Sequence, residues 1–227
     1  MITALDAARI IDISAVRTHH GRKDIEELVG YAKKYRFINI HVLSCWISTL
    51  VPLLADVEGV FVGGQVGFPS GAHTTETKIC ETRQLIEDGV QEMDIVMNVG
   101  KFKSGEREYA LDELSSIVAL AGARVKTKVI IEINVLSDDE MIDACELVKK
   151  SGADYVKSGT GWIPGGANIE RIKKMKEYCG PDIKVKAAGG IRSLEDFMSL
   201  YEIGVDRMGI NTISAIEIIE TLAGMEA

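Results

Sequence analysis

"KVIIEINVLSDDEMIDACELVKKSGADYVKS", residues 128–158, runs from strand to helix and back to strand. The part from 128 to 136 is apolar and β-branched, the composition of a strand buried on both faces. "SDDE" at 137–140 is a capping box, so a helix starts directly after Leu136. Met141, Ala144, Cys145 and Val148 then share one face of that helix. Gly152 stands where a glycine ends a helix, and "ADYVKS" (153–158) re-enters a parallel sheet.

The same grammar recurs. "IEDGVQEMDIV" (86–96), "VKKSGADYVK" (148–157) and "LYEIGVDRMGI" (200–210) each give a helix end, a glycine, an acidic residue and a strand. Further buried strands are predicted over 38–44, 59–68, 92–99, 183–187 and 206–211, and "ARIIDIS" (8–14) supplies the eighth. Eight strand-then-helix units predict a closed (β/α)8 TIM barrel, with an open doubly wound sheet as the alternative. No G-x-G-x-x-G follows the first strand, which favours the barrel. At 227 residues, one domain spanning 1–227 suffices.

Composition narrows the function classes. The apolar fraction of 46% and charged fraction of 26% suit a soluble globular protein. No apolar run spans a bilayer, and the first residues lack the layout of a signal peptide, so no membrane role is expected. Cys45, Cys80, Cys145 and Cys179 lie far apart without metal spacing, which predicts reduced thiols and a cytoplasmic protein. A net charge of -8 argues against a nucleic-acid surface but leaves anionic small molecules open, since backbone amides bind phosphate.

In such a barrel, function gathers at the C-terminal strand ends. The polar residues expected there are Asp12, Cys45, Asp94, Asn98, Asn134, Lys157, Ser158, Lys186, Asn211 and Thr212. Lys157 and Lys186 stand one βα unit apart. If both face inward, two ammonium groups in a dry pocket repel, and at least one pKa falls. A lysine of pKa ~10.4 is about 0.04% neutral at pH 7, and one of pKa ~7 is about half neutral. A neutral buried amine is what Schiff-base chemistry on a carbonyl requires, and Asp94 can move protons beside it. Glycine-rich turns at 158–161, 164–166 and 187–190, with "MGINT" at 208–212, let backbone amides approach an anion. Together they suggest a phosphorylated substrate.

"VGFPSGAHTTETK" (66–78), "EMDIVMNVG" (92–100), "GADYVKSGTGW" (152–162), "GGAN" (165–168) and "VKAAGGIRSLEDF" (185–197) resemble, in this order, the signature segments of the deoxyribose-phosphate aldolase family. The resemblance covers about residues 8–216. It implies a cofactor-free class I aldolase that interconverts 2-deoxyribose 5-phosphate with glyceraldehyde 3-phosphate and acetaldehyde. Lys157 is then the Schiff-base nucleophile, Lys186 the second lysine that keeps it neutral, Asp94 the proton relay and Asp12 the family's early aspartate. Gly161, Gly189, Gly190 and Gly209 match backbone positions that receive phosphate, and a homodimer is the family-like expectation.

The departures fall on the substrate side. Where the family commonly reads K-T-S-T-G, this chain has Lys157-Ser158-Gly159-Thr160-Gly161. Its last strand exits as Gly209-Ile210-Asn211-Thr212-Ile213 in place of G-T-S-S-G, so Asn211 and Thr212 are the expected hydrogen-bond donors to phosphate. Glu132-Ile133-Asn134 replaces E-T-C, and the tail "LAGMEA" lacks the family's terminal tyrosine. A different sugar phosphate, or a barrel that binds without turnover, are the alternatives. His19, His20, His41 and His73 show no ligand spacing, no metal is expected, and Cys45 reads as a small apolar filler.

Overall fold

The computed structural model describes residues 2–226. Eight strands alternate with helices: β1 Ile11–Ala15, β2 Asn39–Val42, β3 Phe61–Val66, β4 Glu92–Val96, β5 Lys126–Ile130, β6 Tyr155–Lys157, β7 Lys184–Ala188 and β8 Arg207–Asn211. Each pairs in parallel with the next, and β8 closes on β1 with Asp12 opposite Gly209. The alternation read from the sequence is therefore a single closed (β/α)8 barrel.

Local chemistry sets the boundaries. Ser137 Oγ accepts from the Glu140 N–H at 3.1 Å, and Glu140 Oε2 accepts from the Ser137 N–H at 2.7 Å, starting helix Asp138–Ser151. Such a cap stabilises a helix by about 1 kcal/mol. Gly152 ends it at φ 80°, a conformation that strains any residue with a Cβ. The first apolar run of that stretch forms a shorter strand than its composition predicts. β5 stops at Ile130 because Glu132 turns left-handed at φ 55° and Ile133–Val135 coils into a short 3-10 turn.

Two faces of the sheet carry different jobs. Ile13, Ile40, Met93, Val129, Val156, Val185 and Met208 are fully buried in the apolar core. Burying one such side chain stabilises the fold by about 1.5–3 kcal/mol. The alternate strand positions hold Asp12, His41, Gln65, Glu92, Asp94, Lys128, Lys157, Lys186 and Arg207, all buried. Branched apolar layers usually fill a barrel of this kind; here much of the interior is charged. Outside it, Lys78 on helix Thr75–Glu87 pairs with Glu113 on helix Arg107–Ala121 at 2.5 Å. Lys78 Nζ also donates to the Val96 carbonyl at 2.9 Å, holding the end of β4 two residues beyond Asp94. Among the described residues no helix is long and apolar enough to cross a membrane.

Candidate active site

β6 and β7 set Lys157 directly opposite Lys186. Ser158 clamps the two strand exits by accepting from the Ala188 N–H at 2.9 Å and donating to the Ala188 carbonyl at 3.0 Å. Asp94 reaches both amines from β4, with Oδ2 2.6 Å from Lys157 Nζ and 3.0 Å from Lys186 Nζ. From β1, Asp12 Oδ2 lies 2.6 Å from Lys186 Nζ while Oδ1 accepts from Arg207 at 2.6 Å. The four candidates Asp12, Asp94, Lys157 and Lys186 thus share one cluster.

Deeper in the barrel, Lys128 pairs with Glu92 and stands 3.8 Å from both Asp12 and Asp94. Arg207 also reaches Glu92 at 3.3 Å. Three linked carboxylates (Asp12, Glu92, Asp94) face three cations (Lys128, Lys186, Arg207) before Lys157 is counted. A fourth positive charge in this interior has no compensating anion, and an uncompensated buried charge costs several kcal/mol. Lys157 is the amine to lose its proton, because it holds one carboxylate where Lys186 holds two.

The titration behaviour follows the same geometry. Burial, helped by Lys186 and opposed by Asp94, lowers the Lys157 amine to about 8. Burial also pulls on Lys186, but Asp12 and Asp94 outweigh it and raise that amine above its ordinary value. The carboxyls of Asp12 and Asp94 resist burial and sit well below the carboxylate range because cations surround them. Burial, more than repulsion from Lys186, lowers the Lys157 amine, and the second carboxylate on Lys186 separates the two lysines.

Two chambers open above these groups. An inner cavity of about 50 Å³ is lined by Asp94, Lys157, Lys186, His41, Gln65 and Phe68, among others. An outer one of about 290 Å³ is lined by Arg17, His20, Arg192 and the glycine turns. Ser14, Val16, Thr160 and Gly209 belong to both, so the chambers adjoin. Gly161, Gly189, Gly190 and Asn211 line the outer chamber. Gly190 is required there: a Cβ would fall 2.7 Å from Gly166 Cα.

Several expectations need correction. Asn211 caps helix Thr212–Glu226 while lining the outer chamber: its Oδ1 accepts from the Ser214 N–H at 3.1 Å and one Nδ2 hydrogen goes to Ser214 Oγ at 2.9 Å, which leaves its second N–H as a donor. Thr212 opens that helix and lies outside the lining of the outer chamber. Cys45 is exposed rather than a filler, since Ser44–Trp46 turns outward as a 3-10 helix after β2. Asn134 ties two loops together by donating to the Gly166 carbonyl at 3.0 Å. Gly159 accommodates Glu132, whose Oε2 would stand 3.2 Å from a Cβ there and whose Oε1 accepts from the Thr160 N–H at 2.7 Å.

Sequence reasoning missed other members. His41 and Gln65 line the inner chamber, and His20 the outer one. Arg17 arrives from a loop, donates to the Gly161 carbonyl at 3.0 Å and lies 5.2 Å above the Trp162 ring. Trp162 packs edge-on against Phe68 at 5.9 Å and braces the rim. Among the described residues, Asp12, His41 and Glu92 have metal-like spacing, within 4.8 Å of one another. Arg207, Lys128 and Lys186 are seated on those carboxylates, so the cluster is an ion-pair network.

A buried amine of lowered basicity beside a carboxylate, at the C-terminal mouth of a (β/α)8 barrel, is the arrangement that aldol chemistry through a lysine requires. The model of the DeoC/LacD family aldolases matches residues 58–209. The chain is 42% identical to the deoxyribose-phosphate aldolase of Rhizobium meliloti (strain 1021) over 220 residues, 97% of this chain and 88% of that protein. It is 41% identical to that of Klebsiella pneumoniae subsp. pneumoniae over 207 residues, 90% of this chain and 82% of its relative. A tetrameric structure of deoxyribose phosphate aldolase from Aeropyrum pernix superposes with a TM-score of 0.89 at 28% identity, covering 98% of this chain and 93% of that one. The chain belongs to the DeoC/LacD aldolase family.

Proposed function

We propose that this protein cleaves 2-deoxy-D-ribose 5-phosphate to glyceraldehyde 3-phosphate and acetaldehyde through a Schiff base on Lys157. The observation that carries the reading is the charge count around Asp94, which makes Lys157 the amine that gives up its proton more readily. Neutral Lys157 adds to the C1 aldehyde, and loss of water gives the iminium. Loss of the C3 hydroxyl proton then breaks the C2–C3 bond; the electron pair moves onto the iminium as an enamine, and glyceraldehyde 3-phosphate leaves. Protonation of the enamine carbon and addition of water release acetaldehyde and return the amine. Asp94 is the proton carrier, because among the described residues it alone contacts both amines at hydrogen-bond distance. Lys186, held by Asp12, supplies the fixed positive charge.

The outer chamber takes the phosphate. Gly161, Gly189, Gly190 and Gly209 line it with Arg17 and Arg192, whose guanidinium groups offer charge where Asn211 and Thr212 replace the family's hydroxyls. A homo-oligomer fits the tetrameric relative and the exposed Leu5 and Ile213, with the homodimer as the expected unit. Light scattering on the eluting protein measures it. Four free thiols support a cytoplasmic setting. A panel of sugar phosphates assayed for aldehyde release tests the substrate. Best turnover on 2-deoxyribose 5-phosphate is expected, and a better keto or longer sugar phosphate overturns the assignment.

A further inference from the structure

His41, on β2, is a buried titratable group that the steps above leave without a role. Its Nε2 lies 3.4 Å from Lys186 Nζ and 3.5 Å from both Asp12 Oδ2 and Asp94 Oδ1. Room for the ring is made by its register partner on β3, Gly63, where a Cβ would fall 2.4 Å from ring atoms Cε1 and Nδ1. The placement is therefore built into two strands. Residues facing the imidazole come from around the barrel: Asp12 on β1, Gln65 on β3, Glu92 and Asp94 on β4, Lys128 on β5, Lys157 on β6 and Lys186 on β7, while Arg207 on β8 is held by Asp12.

The two orientations of the Gln65 amide correspond to the two tautomers of His41, and the unpartnered Gln65 Oε1 favours the turned-over one. Gln65 Nε2 stands 3.2 Å from His41 Nδ1, and Gln65 Oε1 is buried without a partner. An amide's oxygen and nitrogen are told apart by their partners. Turned over, the Gln65 oxygen accepts from Nδ1–H and leaves Nε2 as a bare acceptor aimed at Lys186. Asp12 Oδ2 holds Lys186 Nζ at 2.6 Å, and Asp94 and His41 supply the further contacts that orient the ammonium. Burial, with Lys186 and Lys128, outweighs Asp94 and Asp12 and holds the imidazole at about 4, so it is neutral near pH 7.

Resting on the Schiff-base reading above, we propose that His41 is a positioning residue: its Nε2 accepts an N–H of Lys186, fixes that side chain as the charged partner of Asp94, and so leaves Lys157 as the neutral nucleophile. Removing the acceptor weakens the hold on the Lys186 proton and turns Asp94 toward Lys157, which raises the Lys157 pKa.

Nitrogen-15 NMR of the histidine-labelled full chain, assigned with His41→Gln, is expected to show Nδ1 protonated and Nε2 bare; a protonated Nε2 overturns the proposal. Borohydride trapping of acetaldehyde on Lys157 is then followed against pH. In His41→Leu the acid limb is expected to move up by about one pH unit, a roughly tenfold loss of trapping at pH 7, and His41→Gln, which keeps an acceptor, is expected to recover most of it. An acid limb that stays in place in His41→Leu overturns the role of His41, whereas absence of trapping on Lys157 in the unsubstituted chain overturns the Schiff-base reading itself.

Discussion

Lys157 and Lys186 stand opposite each other across β6 and β7 and reach the same oxygen of Asp94, at 2.6 and 3.0 Å. Their environments differ behind that oxygen. Lys186 has Asp12 at 2.6 Å, whereas Lys157 has no second carboxylate within ion-pair distance among the described residues. One carboxylate therefore separates two register partners into an ammonium and a nucleophile.

The pH dependence follows from the Lys157 value of about 8. About a tenth of the amine is then neutral at pH 7, so kcat/KM is expected to rise about ninefold from pH 6 to 7 and about fivefold from pH 7 to 8, and to level by about pH 9. The folded pKa lies below the unfolded value of 10.5, so between these two the unfolded chain binds the extra proton. Stability is accordingly expected to rise with pH across that window, as urea unfolding at pH 8 and pH 10 will measure. A rate profile flat from pH 6 to 8 contradicts the assignment.

Asp94→Asn removes the anion that two lysines share. The expected kcat loss is about 10²–10⁴-fold, the usual range for a proton-transfer group. Stability should fall by about 3–5 kcal/mol, because buried cations lose their partner. Kinetics normalised to the folded fraction separate the two effects, and activity within tenfold of the parent would rule out the relay role.

Arg17→Met and Arg192→Met test the phosphate chamber. A charge-assisted hydrogen bond is worth about 1.5–3 kcal/mol, so each change is expected to raise KM for the phosphorylated sugar by about tenfold or more. Turnover of unphosphorylated 2-deoxyribose should stay unchanged. Equal losses on both sugars would place the arginines outside phosphate binding.

Lys78→Met tests the buried pair on the helix layer. It leaves buried Glu113 without its cation, which costs about 3–5 kcal/mol. Lys78→Met with Glu113→Leu should recover much of that loss in denaturant midpoint. If the double variant is no more stable than the single one, the pair is not the cause.

The barrel was legible because its signals are local. The Ser137 capping box, Gly152 and the apolar runs each act within a few residues. Asp94, Lys157 and Lys186 stood out as isolated ionisable groups in apolar strands. His41, Glu92, Lys128 and Arg207 did not, since their meaning appears only when the strands close and bring five positions together. One signal was present: Asn39 with His41, and Glu92 with Asp94, are polar residues two apart in apolar strands, hence on one face. Arg17 had none, because it comes from a loop and meets Gly161 across 144 positions of chain. The cap that Asn211 forms carries no separate signal, because a side-chain amide that can bind an anion can equally cap a helix.

Borohydride reduction in the presence of acetaldehyde, followed by peptide mass spectrometry, tests the central claim most directly. A two-carbon adduct on the peptide bearing Lys157, absent in Lys157→Met and rising with pH toward 8, is the predicted result. An adduct of equal yield in Lys157→Met, or one carried by Lys186, contradicts it.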